Sequence, residues 1–282
     1  MRVTYLGPPG TFNDDALRTA AAGDEFDAVP SASVYDAILA VESGDADRAL
    51  VPFENSIEGS VRTTLDTLVL EASSVTIVGE HDHSIRHSLI ARSQHAIEDI
   101  VVVLSHPQAT AQCARFIRDR LPGVEVRSAP STADAVRQVG ESDEPWAALA
   151  AASAAPMYGC EVLAHSVEDD PDNVTRFVWI APQGVNAEGE GPRRTTLVFS
   201  ELGADRPGAL VEALLEFSDR GVNLTRIESR PLRQGLGRYM FFLDVEGPAD
   251  DEAVAGAIDG LRSKADSVRL LGSYPVGATG IP

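Results

Sequence analysis

The sequence predicts an α/β chain: two βαβ units forming a two-lobed region, followed by a smaller βαββαβ module of ferredoxin-like order. Strand-like apolar runs alternate with helical stretches through the first two thirds of the 282 residues. A polar, Gly-rich segment then interrupts all apolar periodicity, and a compact alternation resumes after it.

The first unit carries strand candidates at 3–6, 28–29, 49–51 and 75–78, separated by helical stretches, which implies a largely parallel sheet. A second unit, about 84–166, repeats the rhythm with strands at 100–104, 125–128 and 146–150 and a helix opened by Pro107. The units echo each other in detail. SASVYDAILAVESGDADRALVPFENS and PSTADAVRQVGESDEPWAALAAASAA each place a capping Ser before a helix, then an acidic turn, then a strand. TRFVWIA is a late strand able to return to the first lobe. The expected layout is lobe one at about 1–80 and 174–182, lobe two at about 81–173, a linker at 183–194 and the last module at 195–276. That module reads TTLVFSEL, a helix at 208–219, VNLTRIES, RYMFFLDVEG, a helix at 251–264 and SVRLLGSY.

Composition narrows the function classes. Net charge is −20, from 43 acidic and 23 basic residues, and Lys264 is the one lysine. Such a surface repels polyanions, so nucleic acid and anionic membranes are excluded as partners. Scarce lysine with abundant Asp resembles proteins from salt-loving organisms. No apolar run reaches bilayer length and the start lacks a signal-peptide pattern, so a cytoplasmic protein is expected. Cys113 and Cys160 lack metal-ligand spacing and read as packed side chains, and His81 and His83 lack a third ligand nearby.

Polar corners at strand ends carry the chemistry. GPPGTF (7–12) joins a strand to a helix that Thr11 or Asn13 can cap, an anion-sized opening or a plain tight turn. VPFENSIEGS (51–60) leaves a buried strand through Glu54, Asn55 and Ser56, which serve either a ligand or the next helix. In SHPQATAQC (105–113), Gln108 and Gln112 stand one helical turn apart, with Gln108 the better fit to solvent. In DPDNVTRF (170–177), alternation sends Thr175 and Arg176 to opposite faces.

Together, GPPGTF, VPFENSIEGS, SHPQATAQC and NVTRF, followed by GALVEALLEF and NLTRIESRP, resemble the prephenate dehydratase family with its carboxyl-terminal ACT domain. The resemblance implies a catalytic region akin to periplasmic binding proteins and a cofactor-free, metal-free conversion of prephenate to phenylpyruvate. It places Asn55, Ser105, Gln112 and Thr175 in the active site, with Thr175 nearest the departing hydroxyl. Thr11, Ser56 and Arg176 are further candidate substrate contacts, Arg176 as the one full positive charge, against its strand parity. For the ACT domain it implies phenylalanine as effector. The residues concerned are Gly208, Ala209 and Leu210 at a helix start, with Asn223, Leu224, Glu228, Ser229 and Arg230. The effector sits between two such domains, which implies a homodimer or tetramer. A non-catalytic two-lobed binding protein, and a dehydratase acting on arogenate instead, are the competing expectations.

Overall fold

The computed structural model describes residues 1–187, 189–202, 206–277 and 280–282. Lobe one contains β1 (Arg2–Leu6), α1 (Phe12–Ala20), β2 (Asp27–Ser31), α2 (Val34–Glu42), β3 (Arg48–Asn55), β4 (Gly59–Ser60), α3 (Arg62–Leu70) and β5 (Val75–Ser84). The second lobe follows with β6 (Ser88–Ala91), β7 (Val102–Ser105), α4 (Pro107–Gln112), α5 (Ala114–Arg120), β8 (Glu125–Ser128), α6 (Thr132–Glu141), β9 (Trp146–Ala150), α7 (Ala154–Met157) and β10 (Glu161–Ala164). The chain returns through β11 (Val174–Pro182). The last module is β12 (Arg193–Ser200), α8 (Ala209–Ser218), β13 (Leu224–Pro231), β14 (Tyr239–Glu246), α9 (Glu252–Arg262) and β15 (Ser267–Pro275).

The two-lobed arrangement and the βαββαβ module are both present. The sheets are mixed where a largely parallel one was expected: β1 runs parallel to β2 and β3, whereas β11 runs antiparallel to β3 and β5. The cause is the double crossing between lobes, which sends the chain out on β5 and back on β11 in opposite directions. Lobe two keeps β7 parallel to β8 and β9, with β6 and β10 added antiparallel. The sequence echo has a structural counterpart. Ser33 and Ser131 each cap a helix by accepting the N–H of the residue three later and donating to its carboxylate, Asp36 or Asp134.

Lobe one and the last module form a single ten-stranded sheet in the order β13-β14-β12-β15-β5-β11-β3-β1-β2, with β4 beside β3. The junction is narrow: β15 meets β5 in parallel at Gly272 and Ile77. A Cβ on residue 272 would overlap the Ile77 carbonyl oxygen, so only glycine lets the strands close there. Helices α8 and α9 cover one face of the module's sheet over Leu197, Phe199, Leu243 and Val245. Its other face contributes Val198, Met240, Phe242 and Tyr274 to the same cluster as Val51, Leu65, Val178 and Ile180 of lobe one. Cys113 and Cys160 are free and buried. No helix among the described residues is long and apolar enough to cross a membrane.

Candidate active site

A cavity of about 660 Å³ opens between the lobes, lined by Thr11, Asn55, His87, Gln112, Asn173 and Thr175 among others. Strand β3 enters its floor as a fully buried run and passes Pro52, which lacks an N–H for the ladder. The register against β11 slips there: Arg176 faces Glu54 but Phe177 faces Pro52, leaving Phe53 as the extra residue of a bulge. Beyond the bulge Asn55 stands opposite Thr175. The Pro-Phe of VPFENSIEGS thus breaks the strand regularity just before its polar end.

Hydrogen bonds fix the direction of both partners. Asn55 Oδ1 accepts the N–H groups of Ile57 (3.0 Å) and Glu58 (2.9 Å), so its nitrogen must point the other way. That nitrogen donates to Thr175 Oγ1 at 2.9 Å and to Asn173 Oδ1 at 2.8 Å. Asn173 Nδ2 donates in turn to Gln112 Oε1 at 3.2 Å, and the His87 Nε2–H reaches the same oxygen at 3.0 Å. With its oxygen doubly occupied, Gln112 offers its NH₂ to the cleft. The chain Thr175–Asn55–Asn173–Gln112–His87 therefore spans both lobes. Burial, partly offset by the Gln112 hydrogen bond and nearby Glu168, pushes the His87 imidazole below its ordinary pKa. Its ring meets Phe12 edge-on at 4.9 Å.

Neither lysine nor arginine lines this cavity among the described residues. Positive potential comes instead from helix starts: Thr11 to Asn13 at α1, Val61 at α3, and Ser131 with Thr132 at α6 all border it. Two carboxylates, Glu58 and Asp134, border the cavity as well.

The other expected residues divide. Thr11 borders the cleft as the α1 cap, its hydroxyl donating to the Pro8 carbonyl at 3.0 Å. Gln108 also borders the cleft. Ser105 ends β7 fully buried and donates to the Leu149 carbonyl at 2.6 Å, tying β7 to β9 outside the cavity lining. The Ser56 hydroxyl accepts Val174 N–H (3.0 Å) and donates to the Asp172 carbonyl (3.3 Å), closing the strand pair rather than facing the cavity.

Arg176 departs from the expectation of a substrate contact. Alternation turns it to the back of the sheet, where it pairs with Asp244 (2.6 Å), Glu54 (2.9 Å) and Glu80 (3.5 Å) over the Phe53 ring. Burial works against its charge, but Asp244 and Glu80 carry its pKa above the ordinary arginine value. His83 Nε2 lies 3.2 Å from the Asp15 carboxylate, and no metal-holding cluster of His, Cys, Asp or Glu occurs among the described residues.

In the last module, Gly208 caps α8 with φ +86°, a left-handed conformation suited to glycine. Gly208, Ala209 and Leu210 line a second cavity of about 480 Å³ with Arg206, Arg238 and Tyr239. Asn223, which is exposed, and Leu224 lie past the opposite end of α8, outside that cavity. Glu228 and Ser229 sit on β13, also outside it, and Arg230 forms a bidentate pair with Asp66 of α3 at 3.0 and 2.8 Å.

Residues 3–184 match the family profile for prephenate dehydratase, and residues 197–262 match that for the ACT domain. A prephenate dehydratase of Mycolicibacterium vanbaalenii is 41% identical over 98% of this chain and 91% of its own length. Among solved structures, the prephenate dehydratase of Arthrobacter aurescens in complex with L-Phe is 39% identical with a TM-score of 0.90, covering 98% of this chain and 90% of that one. GqqA, described as a novel type of quorum quenching acylase, is 33% identical with a TM-score of 0.87 over 98% of each chain. Profile matches over both parts of the chain, and full-length identity at this level, lead to one conclusion: the chain belongs to the prephenate dehydratase family, with an ACT domain at its carboxyl-terminal end.

Proposed function

We propose that the cleft converts prephenate to phenylpyruvate, carbon dioxide and water, a carbon–oxygen lyase reaction in phenylalanine biosynthesis. The observation that carries this reading is the Asn55–Thr175 hydrogen bond. Because Asn55 donates to Thr175 Oγ1, the threonine's own proton is free for a partner in the cleft. In prephenate the bond to the ring carboxylate breaks and its electron pair enters the ring. As the opposite carbon–oxygen bond breaks, its oxygen takes up one proton and leaves as water, and solvent restores that proton to the donor. A donor aimed at that oxygen stabilises charge that develops only in the transition state. A threonine hydroxyl is too weak an acid to protonate the leaving group beforehand, so proton delivery accompanies bond breaking. The Gln112 amide and the starts of α1, α3 and α6 supply uncharged donors for the two carboxylates. Aromatisation provides the driving force, so the step calls on no cofactor.

An acyl-transfer reading would need a nucleophile resting on a base. The hydroxyls of Thr175 and Ser105 are bonded to Asn55 and to the Leu149 carbonyl, respectively, and neither to a histidine. This argues against acyl transfer at Thr175 or Ser105.

Feedback by phenylalanine at the ACT domain completes the proposal. Gly208 to Leu210 offer a helix start to the amino acid's carboxylate, and a second copy supplies Asn223 and Leu224 across an interface. Exposed Val211 and Leu215 on α8 and Ile227 on β13 support such pairing in a homodimer or tetramer. The decisive experiment follows phenylpyruvate absorbance with prephenate, with and without phenylalanine, and phenylalanine formation by chromatography with arogenate. Turnover of prephenate is expected, and binding without turnover would overturn the reading.

A further inference from the structure

Thr175 and Asn55 face each other on the cleft side of β11 and β3, and their chain neighbours Arg176 and Glu54 face each other on the reverse side. On the cleft side the link is the 2.9 Å hydrogen bond; on the reverse it is a 2.9 Å ion pair. The reverse side opens onto the ACT domain. Asp244 of β14 is fully buried, takes the Arg176 guanidinium at 2.6 Å on Oδ2, and is held on Oδ1 by the Thr196 hydroxyl at 2.8 Å.

We propose that Asp244, in the ACT domain, is a positioning residue for the dehydration site, acting through Arg176 on the direction of the Thr175 hydroxyl. This rests on the dehydratase reading. Asp244 cannot touch substrate, since it lies behind the sheet and outside the cleft lining. Its effect passes through one peptide unit. Arg176 has two further acidic partners, Glu80, which is buried, and Glu54, whose side chain is 37% exposed next to the bulge. Without the Asp244 charge the guanidinium is drawn toward those two. The segment that turns is the one where the ladder is already interrupted, between Arg176 and Phe177. A displacement of about 1 Å at a reacting group is enough to lower turnover by up to about 100-fold.

The test is a kinetic cycle on the full chain with prephenate as substrate. Asp244→Asn is expected to lower kcat about tenfold, equivalent to about 1.4 kcal/mol, with KM within about twofold. In a Thr175→Val background the same substitution should leave kcat unchanged, because the hydroxyl it positions is gone. A purely structural loss would multiply through both backgrounds, and that result overturns the proposal. Thr196→Val, which removes the hydroxyl aiming Asp244 without removing a charge, serves as the second variant where Asp244→Asn does not fold. An unchanged kcat in a folded variant overturns the proposal as well. Absence of turnover in the unmodified chain would instead reject the dehydratase reading itself.

Discussion

Asn55 and Thr175 lie 120 positions apart in the chain and meet at 2.9 Å, amide nitrogen to hydroxyl oxygen, on the floor of the cleft. Because the amide oxygen already holds two backbone N–H groups, it cannot flip to accept from the threonine. The direction of this one bond decides what Thr175 can do.

Thr175→Val keeps the shape and removes the donor. We expect kcat to fall by roughly 10²- to 10³-fold, the effect of losing one preorganised donor, with the fold intact by circular dichroism and KM little changed. Phenylpyruvate absorbance checks it, and an unchanged kcat would assign the proton to another group.

Acidification should loosen the fold through its buried imidazoles. Burial depresses His81, with His83 adding to the effect and Asp82 opposing it, and burial also depresses His87. Their neutral forms therefore contribute stability that is present above the ordinary value of 6.5 and is lost as pH falls through the lower folded values. The melting temperature should drop as pH is lowered below that point, and His87→Gln should flatten the drop while keeping a donor for Gln112. Calorimetric scans at stepped pH measure both.

The Asp66–Arg230 pair couples α3 to the ACT sheet. Burial raises the Asp66 pKa, but Arg230 and Arg233 outweigh it and hold the carboxyl below the ordinary aspartate range. The stability it contributes is thus present above the ordinary aspartate value and lost as pH falls through the folded one. Arg230→Gln is expected to cost roughly 1–3 kcal/mol near neutrality, and the gap from the unmodified chain should close in acid. Urea midpoints across the pH range would show this; a gap independent of pH would assign the cost to packing.

Gly272→Ala should destabilise by roughly 1–3 kcal/mol through overpacking, since the added methyl meets the Ile77 carbonyl oxygen. Thermal melting measures it. Gly191→Ala, where a Cβ meets nothing within 4 Å but the φ of +108° is strained for alanine, separates backbone strain from steric overlap.

Much of this site could be read from alternation and corner chemistry. The parity argument that puts Thr175 and Phe177 on one face and Arg176 on the other holds in three dimensions, and two residues further back it reaches Asn173, which also borders the cleft. The Ser-capped helices were legible because a cap is local. Ser105 was not, because its acceptor, the Leu149 carbonyl, lies on a strand 44 residues away. His87 gave no signal for the same reason, its partner Gln112 being brought close only by the packing of lobe two. The arginine-carboxylate cluster escaped because Asp244 reads as one polar position in an apolar strand until the sheets join.

The sharing of Val198, Met240, Phe242 and Tyr274 with the interior of lobe one makes excision of the ACT domain a structural injury. A fragment ending after β11 would bare the side chains those residues now shield, and it is expected to gather into aggregates.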